Sequence, residues 1–234
     1  SDSEWHVSVP SWRPDVDADG RADMVEEILR IYGYDHIPVT SLDRPKVTST
    51  SPLTISQQRV SKLRRLLGGR GLSETGTWSF MESEKADLFG ANQNQAAAQL
   101  KITNPISSDL DQMRPSTLPN LLIAAQKNAD RALFDACFFE IGHVYHTAKA
   151  DGQILVATGL RTGNSVPRHW NAEQRKADFY DVKSDVFDMA ATMGLQPEKL
   201  QLTTDAPEWY HPGRSACLRM GKNVLAQFGE LHPG

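Results

Sequence analysis

The sequence KITNPISSDLDQMRPSTLPNLLIAAQKNADRALFDACFFEIGHVYH, at residues 101–146, decides the predicted fold class. Apolar residues alternate at Leu100 and Ile102, which predicts a strand. Leucines and alanines at helical spacing over residues 118–125 then predict a helix. The run CFFEIGHVY at residues 137–145 is aromatic, β-branched and nearly free of charge, which is typical of a central strand buried on at least one face.

A single acidic residue, Glu140, interrupts this apolar run. A buried carboxylate costs several kcal/mol unless it is paired or hydrogen-bonded, so a cation must lie beside it. Arg114 and Arg131, on either side of the predicted helix, are the candidate partners. We predict a structural arginine–glutamate pair that holds the helix on the sheet. The alternative is the remnant of an active site, because perturbed carboxylates gather at such sites.

Several short motifs in this stretch are distinctive, and their residues are Asn104, Pro105, Met113, Arg114, Pro115, Ser116, Leu118, Pro119, Leu121, Leu122, Asn128, Arg131, Phe139, Glu140, Ile141 and Gly142. These motifs resemble the β subunit of bacterial phenylalanine–tRNA ligases. The resemblance covers nearly the whole chain and implies a domain with the class II synthetase fold that has lost catalysis. It further implies that the partner α subunit carries the aminoacylation chemistry and binds ATP.

The N-terminal segment combines a predicted strand at residues 5–9 with a predicted helix at residues 21–32. Asp23, Glu26 and Glu27 share one face of that helix, where like charges repel by a few tenths of a kcal/mol per pair. Either the helix N-terminus and a capping box offset this repulsion, or carboxylate oxygens hold a hard cation such as Mg²⁺. A calcium-binding EF-hand is excluded because the helix begins inside the acidic turn.

The same segment resembles the small winged-helix-like domain of that family, which carries a magnesium site. Carried over by position, its ligands are Asp15, Asp23, Glu26 and Glu27. The acidic turn is about two residues longer here than in the family pattern, so Asp17 is the alternative first ligand.

Capping residues predict where three helices begin or end. Ser116 is a good N-cap for the helix of the deciding stretch, and Ser83 is expected to cap a short helix over residues 84–89. An amphipathic helix is predicted at residues 54–67, and the glycines at residues 68–71 indicate its C-terminal cap and turn. A strand is predicted at residues 76–81.

Basic side chains flank the amphipathic helix, and they form either a solvated helix face or a contact to RNA phosphates. The residues are Arg59, Lys62, Arg64, Arg65 and Arg70. The formal net charge of the chain is −4, so contact with RNA would have to be local.

Composition limits the other function classes. Cys137 and Cys217 lie far apart in apolar runs, so we expect free thiols in a reducing compartment. No apolar run reaches the ~20 residues that a membrane span needs, and no signal peptide is visible. The chain opens without Met, and we expect a fragment of a longer cytoplasmic protein.

The sequence therefore predicts an α+β protein with two parts: a winged-helix-like module at residues 1–40 and a class II synthetase-like antiparallel sheet with flanking helices at residues 41–234. We expect a non-catalytic interface role in a heterotetramer of two α and two β subunits that charges tRNA with phenylalanine. The alternatives are a stand-alone nucleic-acid-binding winged helix and a metal-dependent enzyme built on the N-terminal carboxylates.

Overall fold

A computed structural model describes residues 4–16, 19–42, 51–90, 97–171 and 173–233. Contacts divide the chain into an N-terminal unit, Ser1–Ser51, and a C-terminal unit, Pro52–Gly234. The boundary predicted at residue 40 stays a prediction. The α-helices in the described residues are α1 (Arg21–Tyr32), α2 (Ile55–Gly69), α3 (Ser83–Leu88), α4 (Leu118–Ala129) and α5 (Phe179–Thr192).

Eight strands form three small sheets within the described part of the C-terminal unit. The strands are β1 (Ser73–Glu74), β2 (Phe80–Met81), β3 (Gln112–Met113), β4 (Cys137–Tyr145), β5 (Gln153–Arg161), β6 (Gln201–Thr203), β7 (Tyr210–Met220) and β8 (Asn223–Leu231). The sheet orders are β1-β4-β5, β2-β3 and β6-β7-β8. All neighbours pair antiparallel except β1 and β4, which are parallel.

Strand β4 is the central strand of its sheet, as the sequence predicted. Because side chains alternate between the two faces of a strand, the adjacent Phe138 and Phe139 pack on opposite sides. Phe138 joins a cluster with Leu121 of α4 and Leu160 of β5. Phe139 packs with Leu67 of α2 on the other side. Helices therefore cover both faces of β4.

A second core lies between α5 and the β6-β7-β8 sheet. Leu218 and Phe228 are buried there, and the ring of Phe179 stacks on Phe228 at a centroid distance of 5.4 Å. Helix α5 begins at the N-cap Asp178, whose side chain accepts from the backbone N–H of Asp181. The side chain of Asp181 accepts from the N–H of Asp178 in return, which completes a capping box.

Helix α2 also follows its predicted course. Thr54 caps it through a capping box with Gln57, and Gly71, with φ 81°, follows its C-terminal end. A side chain at that φ would be strained, so glycine suits the turn. The predicted C-terminal cap and turn at residues 68–71 is confirmed.

Five other local predictions were wrong in detail. Residues 5–9 form no strand, and only Phe80–Met81 of the predicted strand at residues 76–81 pairs. Leu100 ends a short 3-10 helix (Ala97–Leu100) instead of lying in a strand. Ser83 starts α3 as its first residue rather than its cap, because its side chain donates to Asp111.

The fifth difference concerns α4, whose N-cap position is held by Thr117 and not by Ser116. The hydroxyl of Ser116 still accepts from the backbone N–H of Leu118 at 3.2 Å. Thr117 is buried and hydrogen-bonds to Thr158 of β5 instead. A tertiary contact has therefore replaced the local cap.

The described part of the N-terminal unit contains α1 and a short 3-10 helix (Tyr34–His36), with no strand. The apolar residues Val25, Ile28 and Tyr32 of α1 are exposed rather than packed in a core. The structure therefore does not show the predicted winged-helix architecture.

Two composition-based predictions concern the thiols and membrane spans. Cys137 and Cys217 are both free, as predicted. Among the described residues, no helix is both long and apolar enough to cross a membrane.

The capping box of α5 predicts a pH-dependent stability. The hydrogen bond from Arg175 holds the pKa of Asp181 below its ordinary value. A lowered carboxyl pKa stabilises the fold above the unfolded-state value of about 3.9, and this stabilisation is lost as the pH falls through the folded-state pKa. We expect Asp181→Asn to lower the free energy of unfolding at pH 7, with a difference from the wild type that shrinks towards pH 3.

Denaturant unfolding at several pH values measures this difference. Asp87→Asn, which changes an exposed carboxylate on α3, is the control. A difference for Asp181→Asn that stays constant from pH 7 to pH 3 would contradict the proposed role of the charge.

Candidate functional site

The centre of the C-terminal unit holds the predicted ion pair between Arg114 and Glu140. Both side chains are buried, and Nη1 of Arg114 lies 2.7 Å from Oε1 of Glu140. The hydroxyl of Thr77 donates to Oε2 of Glu140 at 2.6 Å and accepts from Nη1 of Arg114 at 2.9 Å. Nε of Arg114 donates to the carbonyl of His143 at 2.9 Å. Arg131, the other candidate cation, lies exposed after α4.

Backbone hydrogen bonds fix the position of Arg114 directly after β3. Its N–H donates to the carbonyl of Ser79, and its own carbonyl accepts from the N–H of Tyr145. Gly142 leaves room for the pair, since a Cβ at this position would collide with the Arg114 guanidinium and the Glu140 carboxylate. Several segments far apart in sequence therefore meet at one guanidinium.

This geometry favours the structural interpretation of the pair over the active-site remnant. Both oxygens of the carboxylate are engaged, and the pair is shielded from solvent. A general acid or base must reach a substrate proton within hydrogen-bonding distance, and Glu140 has no open path to one. Thr77, the third member, was not predicted because nothing in its local sequence indicates a partner 63 residues away.

A second buried charge, Asp185 of α5, was also missed from the sequence. Its carboxylate accepts from Arg161 of β5 at 2.6 and 2.9 Å, and from Nε of Arg70 after α2. Arg70 also pairs with Asp188. The hydrogen bonds that Arg161 donates to Asp185 raise the pKa of Arg161. The sequence nevertheless contained an indication of this pairing. Asp185 lies between Val182 and Met189 on the apolar stripe of α5, where a buried charged side chain needs a partner.

The basic flank of α2, for which the sequence left a solvated face or RNA contact open, is partly used for these internal pairs. Arg70 belongs to the Asp185 cluster, and Arg64 pairs with Glu74 of β1 at 2.6 Å. Arg59, Lys62 and Arg65 remain exposed on the helix. Arg64 and Arg70 thus anchor neighbouring elements, and contact of the exposed residues with RNA phosphates stays a hypothesis.

The predicted magnesium ligands lie in the N-terminal unit. Arg13 bridges two of them, with Nη2 at 2.7 Å from Asp15 and 2.9 Å from Glu27. Arg30, on the next turn of α1, also pairs with Glu27 at 2.6 Å. The hydrogen bond from Arg13 lowers the pKa of Asp15, and those from Arg30 and then Arg13 lower the pKa of Glu27.

The remaining predicted ligands do not complete a cation site in the described residues. Asp23 and Glu26 lie on α1, and Asp17 lies outside the described residues. No three acidic, histidine or cysteine side chains within the described ranges are arranged to hold a metal ion. In this arrangement a guanidinium occupies the space between Asp15 and Glu27, so the carboxylates do not fit Mg²⁺ without its movement. The magnesium site stays a prediction.

A rigid turn after α4 presents two apolar side chains to solvent. Leu133 and Phe134 are each more than half exposed. The N–H of Leu133 donates to the carbonyl of Asn128, and the carbonyl of Phe134 accepts from the hydroxyl of Thr162. We name the pair Leu133 and Phe134 the turn patch. The two neighbouring side chains form an exposed apolar patch, and large contiguous patches of this kind mark protein interfaces.

Two family models match the chain. One, described as the phenylalanyl tRNA synthetase beta chain CLM domain, matches residues 37–234. The other, described as the tRNA synthetase B5 domain, matches residues 1–34.

Curated relatives of the chain are named phenylalanine–tRNA ligase beta subunit. Those of Paramagnetospirillum magneticum, Rhodospirillum rubrum and Bartonella henselae are 46%, 45% and 44% identical over 228, 227 and 232 residues. Each match covers 97% of this chain and 28% of the relative. The chain therefore spans less than a third of the length of these relatives.

A solved structure shares the fold at low sequence identity. The pyrrolysyl tRNA synthetase of Desulfitobacterium hafniense superposes with a TM-score of 0.51 and 13% identity, over 89% of this chain and 62% of that one. This likeness concerns the fold alone. Together with the mixed helices and sheets, it confirms the α+β, synthetase-like part of the predicted fold class.

The burial of the Arg114–Glu140 pair predicts that two arginine substitutions differ strongly in their effect on the free energy of unfolding. We expect Arg114→Ala to lower the free energy of unfolding by about 3–5 kcal/mol, because it leaves the Glu140 carboxylate buried without its cation. Arg214→Ala removes an exposed arginine that pairs with Glu230, and we expect a loss of at most about 1 kcal/mol. Urea unfolding of both variants measures the losses, and equal small losses would contradict the structural role of the buried pair.

Proposed function

The chain belongs to the family of phenylalanyl-tRNA synthetase β chains, and from this premise we propose that it is a non-catalytic, interface-forming part of such a subunit. In this proposal the partner α subunit binds ATP and phenylalanine and charges the tRNA. The assembly is a cytoplasmic heterotetramer of two α and two β subunits, and tRNA lies across both. The contribution of this chain is a rigid scaffold for the α subunit.

The observation that carries the proposal is the closed Arg114–Glu140–Thr77 network. An amino-acid-activating site needs charged groups that face an open pocket and bind phosphate or carboxylate groups of substrate. Here the charged groups at the centre of the sheet satisfy one another and are shielded from solvent. Because these charges stabilise the structure, they support a scaffold role for this chain. In this proposal, amino-acid activation takes place on another chain.

The turn patch supports the interface part of the proposal. Apolar and aromatic side chains that are fixed before binding lose little conformational entropy when a partner covers them. Leu133 and Phe134 meet this condition because hydrogen bonds hold their backbone on both sides. We propose that they insert into the α subunit.

Phenylalanine-dependent exchange of pyrophosphate into ATP tests where activation takes place. We expect the full-length β subunit alone to give no exchange and the α–β complex to give full exchange. Glu140→Gln in the β subunit is expected to leave exchange per assembled complex unchanged, since Glu140 touches no substrate. Exchange by the β subunit alone would overturn the proposal.

Sedimentation of the two subunits tests the interface. We expect Phe134→Asp in the β subunit to weaken binding to the α subunit by about 10-fold or more, because a central aromatic anchor is commonly worth about 2 kcal/mol. Trp170→Asp, which changes another exposed aromatic residue in a loop of the same unit, is the matched control and should leave binding unchanged. Equal binding by the wild type and both variants would place the interface elsewhere.

We also propose a conditional magnesium site, at which Mg²⁺ and the Arg13 guanidinium compete for Asp15 and Glu27. Carboxylate oxygens are the ligands that Mg²⁺ prefers, and the same oxygens now accept from Arg13. Removal of the guanidinium should therefore favour the ion.

Calorimetric titration of the β subunit with MgCl₂ tests this competition. We expect Arg13→Gln to bind Mg²⁺ more tightly than the wild type, and Arg21→Gln, which removes an arginine that pairs only with Asp19 among the described contacts, to leave binding unchanged. Weaker binding by Arg13→Gln would show instead that Arg13 organises the carboxylates.

A further inference from the structure

Between β5 and α5 the chain forms a surface arm, which we define as residues 163–177 and which the structure describes except at residue 172. The N–H of Ser165 donates to the carbonyl of Arg175 at 2.9 Å, and so joins the two ends of the arm. The N–H of Ala177 donates to the carbonyl of Gly163 at 3.0 Å. The described residues between 166 and 174 are all exposed. The arm is therefore a short stem with a loop at its end.

Contacts on both sides fix this stem to the rest of the C-terminal unit. The carboxylate of Asp135 accepts from the backbone N–H of Asn164 at 2.8 Å and from its side-chain amide at 3.1 Å. A Cβ at Gly163 would collide with the same carboxylate, so glycine permits this contact. On the other side, the guanidinium of Arg175 donates to the two oxygens of Asp181 at 2.7 and 2.6 Å. The loop is thus carried on an ordered base.

The loop of the arm places one indole ring in water. Trp170 is 95% exposed, more than the other tryptophans that the structure describes. Nδ1 of His169 accepts from the N–H of Asn171 at 3.2 Å, so a hydrogen bond between its two neighbours spans Trp170. Aromatic rings stack readily on other flat rings in an offset arrangement. The ring of Trp170 is therefore available to a planar ligand.

Positive charge accompanies this ring. Three basic residues and one acidic residue give the arm a net charge of +2, whereas the whole chain carries −4. Arg175 is already paired in the stem. Arg168, two positions before Trp170, is exposed and takes part in none of the ion pairs within the described part of the chain. The loop thus offers an open ring and an uncompensated guanidinium close together in sequence.

This combination favours an RNA strand over a protein surface as the ligand. The cores of protein interfaces are depleted in charged residues. Proteins bind single-stranded nucleic acids through aromatic rings that stack on the bases and cations that contact the backbone. The base must be unpaired, because bases within a duplex are already stacked on one another.

We propose that the arm binds an unpaired segment of tRNA, with the ring of Trp170 stacked on one base and the guanidinium of Arg168 on a neighbouring phosphate. Nδ1 of His169 is occupied as an acceptor, so the neutral imidazole carries its proton on Nε2 and donates from there to the RNA backbone. The inference rests on the proposed function, because that function brings tRNA to the assembly.

Binding of the tRNA that accepts phenylalanine to the assembled α–β complex tests the stacked base. We expect Trp170→Leu to weaken binding by about 10-fold, which corresponds to ~1.4 kcal/mol and lies within the range of base–aromatic stacking. Trp170→Phe keeps an aromatic face and should retain most of the affinity. Trp78→Leu, which removes another exposed indole, is the matched control and should leave tRNA binding unchanged.

The dependence of this binding on salt tests the phosphate contact separately. We expect Arg168→Gln to reduce the slope of log affinity against log salt concentration by about 0.7–0.9, because one phosphate contact is lost. Trp170→Leu should leave this slope unchanged, since stacking releases no counterions. Lys222→Gln, which changes an exposed lysine in the turn between β7 and β8, is the charge-matched control.

A tRNA that lacks its unpaired 3′ end identifies the segment that supplies the base. If Trp170→Leu no longer weakens binding to the shortened tRNA, the stacked base belongs to the 3′ end. If the substitution still weakens binding, the base lies in a loop of the tRNA. Either result supports the stack.

Three outcomes would overturn the inference. Equal tRNA binding by the wild type and Trp170→Leu would show that the ring touches no base. Equal losses for Trp170→Leu and Trp170→Phe would show that stacking is not the contact. Weaker association of the Trp170→Leu chain with the α subunit, measured by sedimentation without tRNA, would assign the ring to a protein contact. A wild-type complex that binds no tRNA would instead contradict the proposed function itself, so the two failures are distinguishable.

Discussion

The ion pair between Arg114 and Glu140 is the interaction on which the arrangement of the C-terminal unit depends. Burying two charges is costly, and the cost is offset only when geometry and additional hydrogen bonds are good. Thr77 and the carbonyl of His143 supply those bonds. Because the guanidinium can satisfy all of them in one position only, it fixes how the segment after β3 lies on β4.

The Asp185 cluster applies the same constraint on the opposite face of the sheet. Side chains at even positions of β4, such as Glu140, face α4, whereas those at odd positions face α2 and α5. Arg161, the register partner of Cys137, belongs to the second face and draws α5 towards β5 through Asp185. Each helical layer is thus held by apolar packing together with one buried carboxylate that arginine satisfies. Charges used in this way specify geometry and are not available for chemistry.

Local patterns predicted those parts of the fold whose causes are local. The run CFFEIGHVY became β4 at the predicted residues, and α2 follows its predicted amphipathic course. The Arg114–Glu140 pair was predictable because a charge within an apolar run requires a partner. Thr77 and Arg161 were not predictable in their roles, since these depend on contacts across long sequence separations. Short strands such as β2 failed for the same reason: their pairing depends on a distant partner.

One further disagreement concerns apolar residues whose spacing is typical of a buried surface but which the structure leaves exposed. This disagreement has a physical cause. Val25, Ile28 and Tyr32 of α1 recur at the spacing of a buried helix stripe, yet all three are exposed. A sequence is selected for burial in the whole protein, whereas the structure shows only the burial that these residues give one another. A contiguous apolar surface left exposed in this way is typical of a protein interaction site. Sequence patterns and accessible surface are therefore most informative about assembly where they disagree.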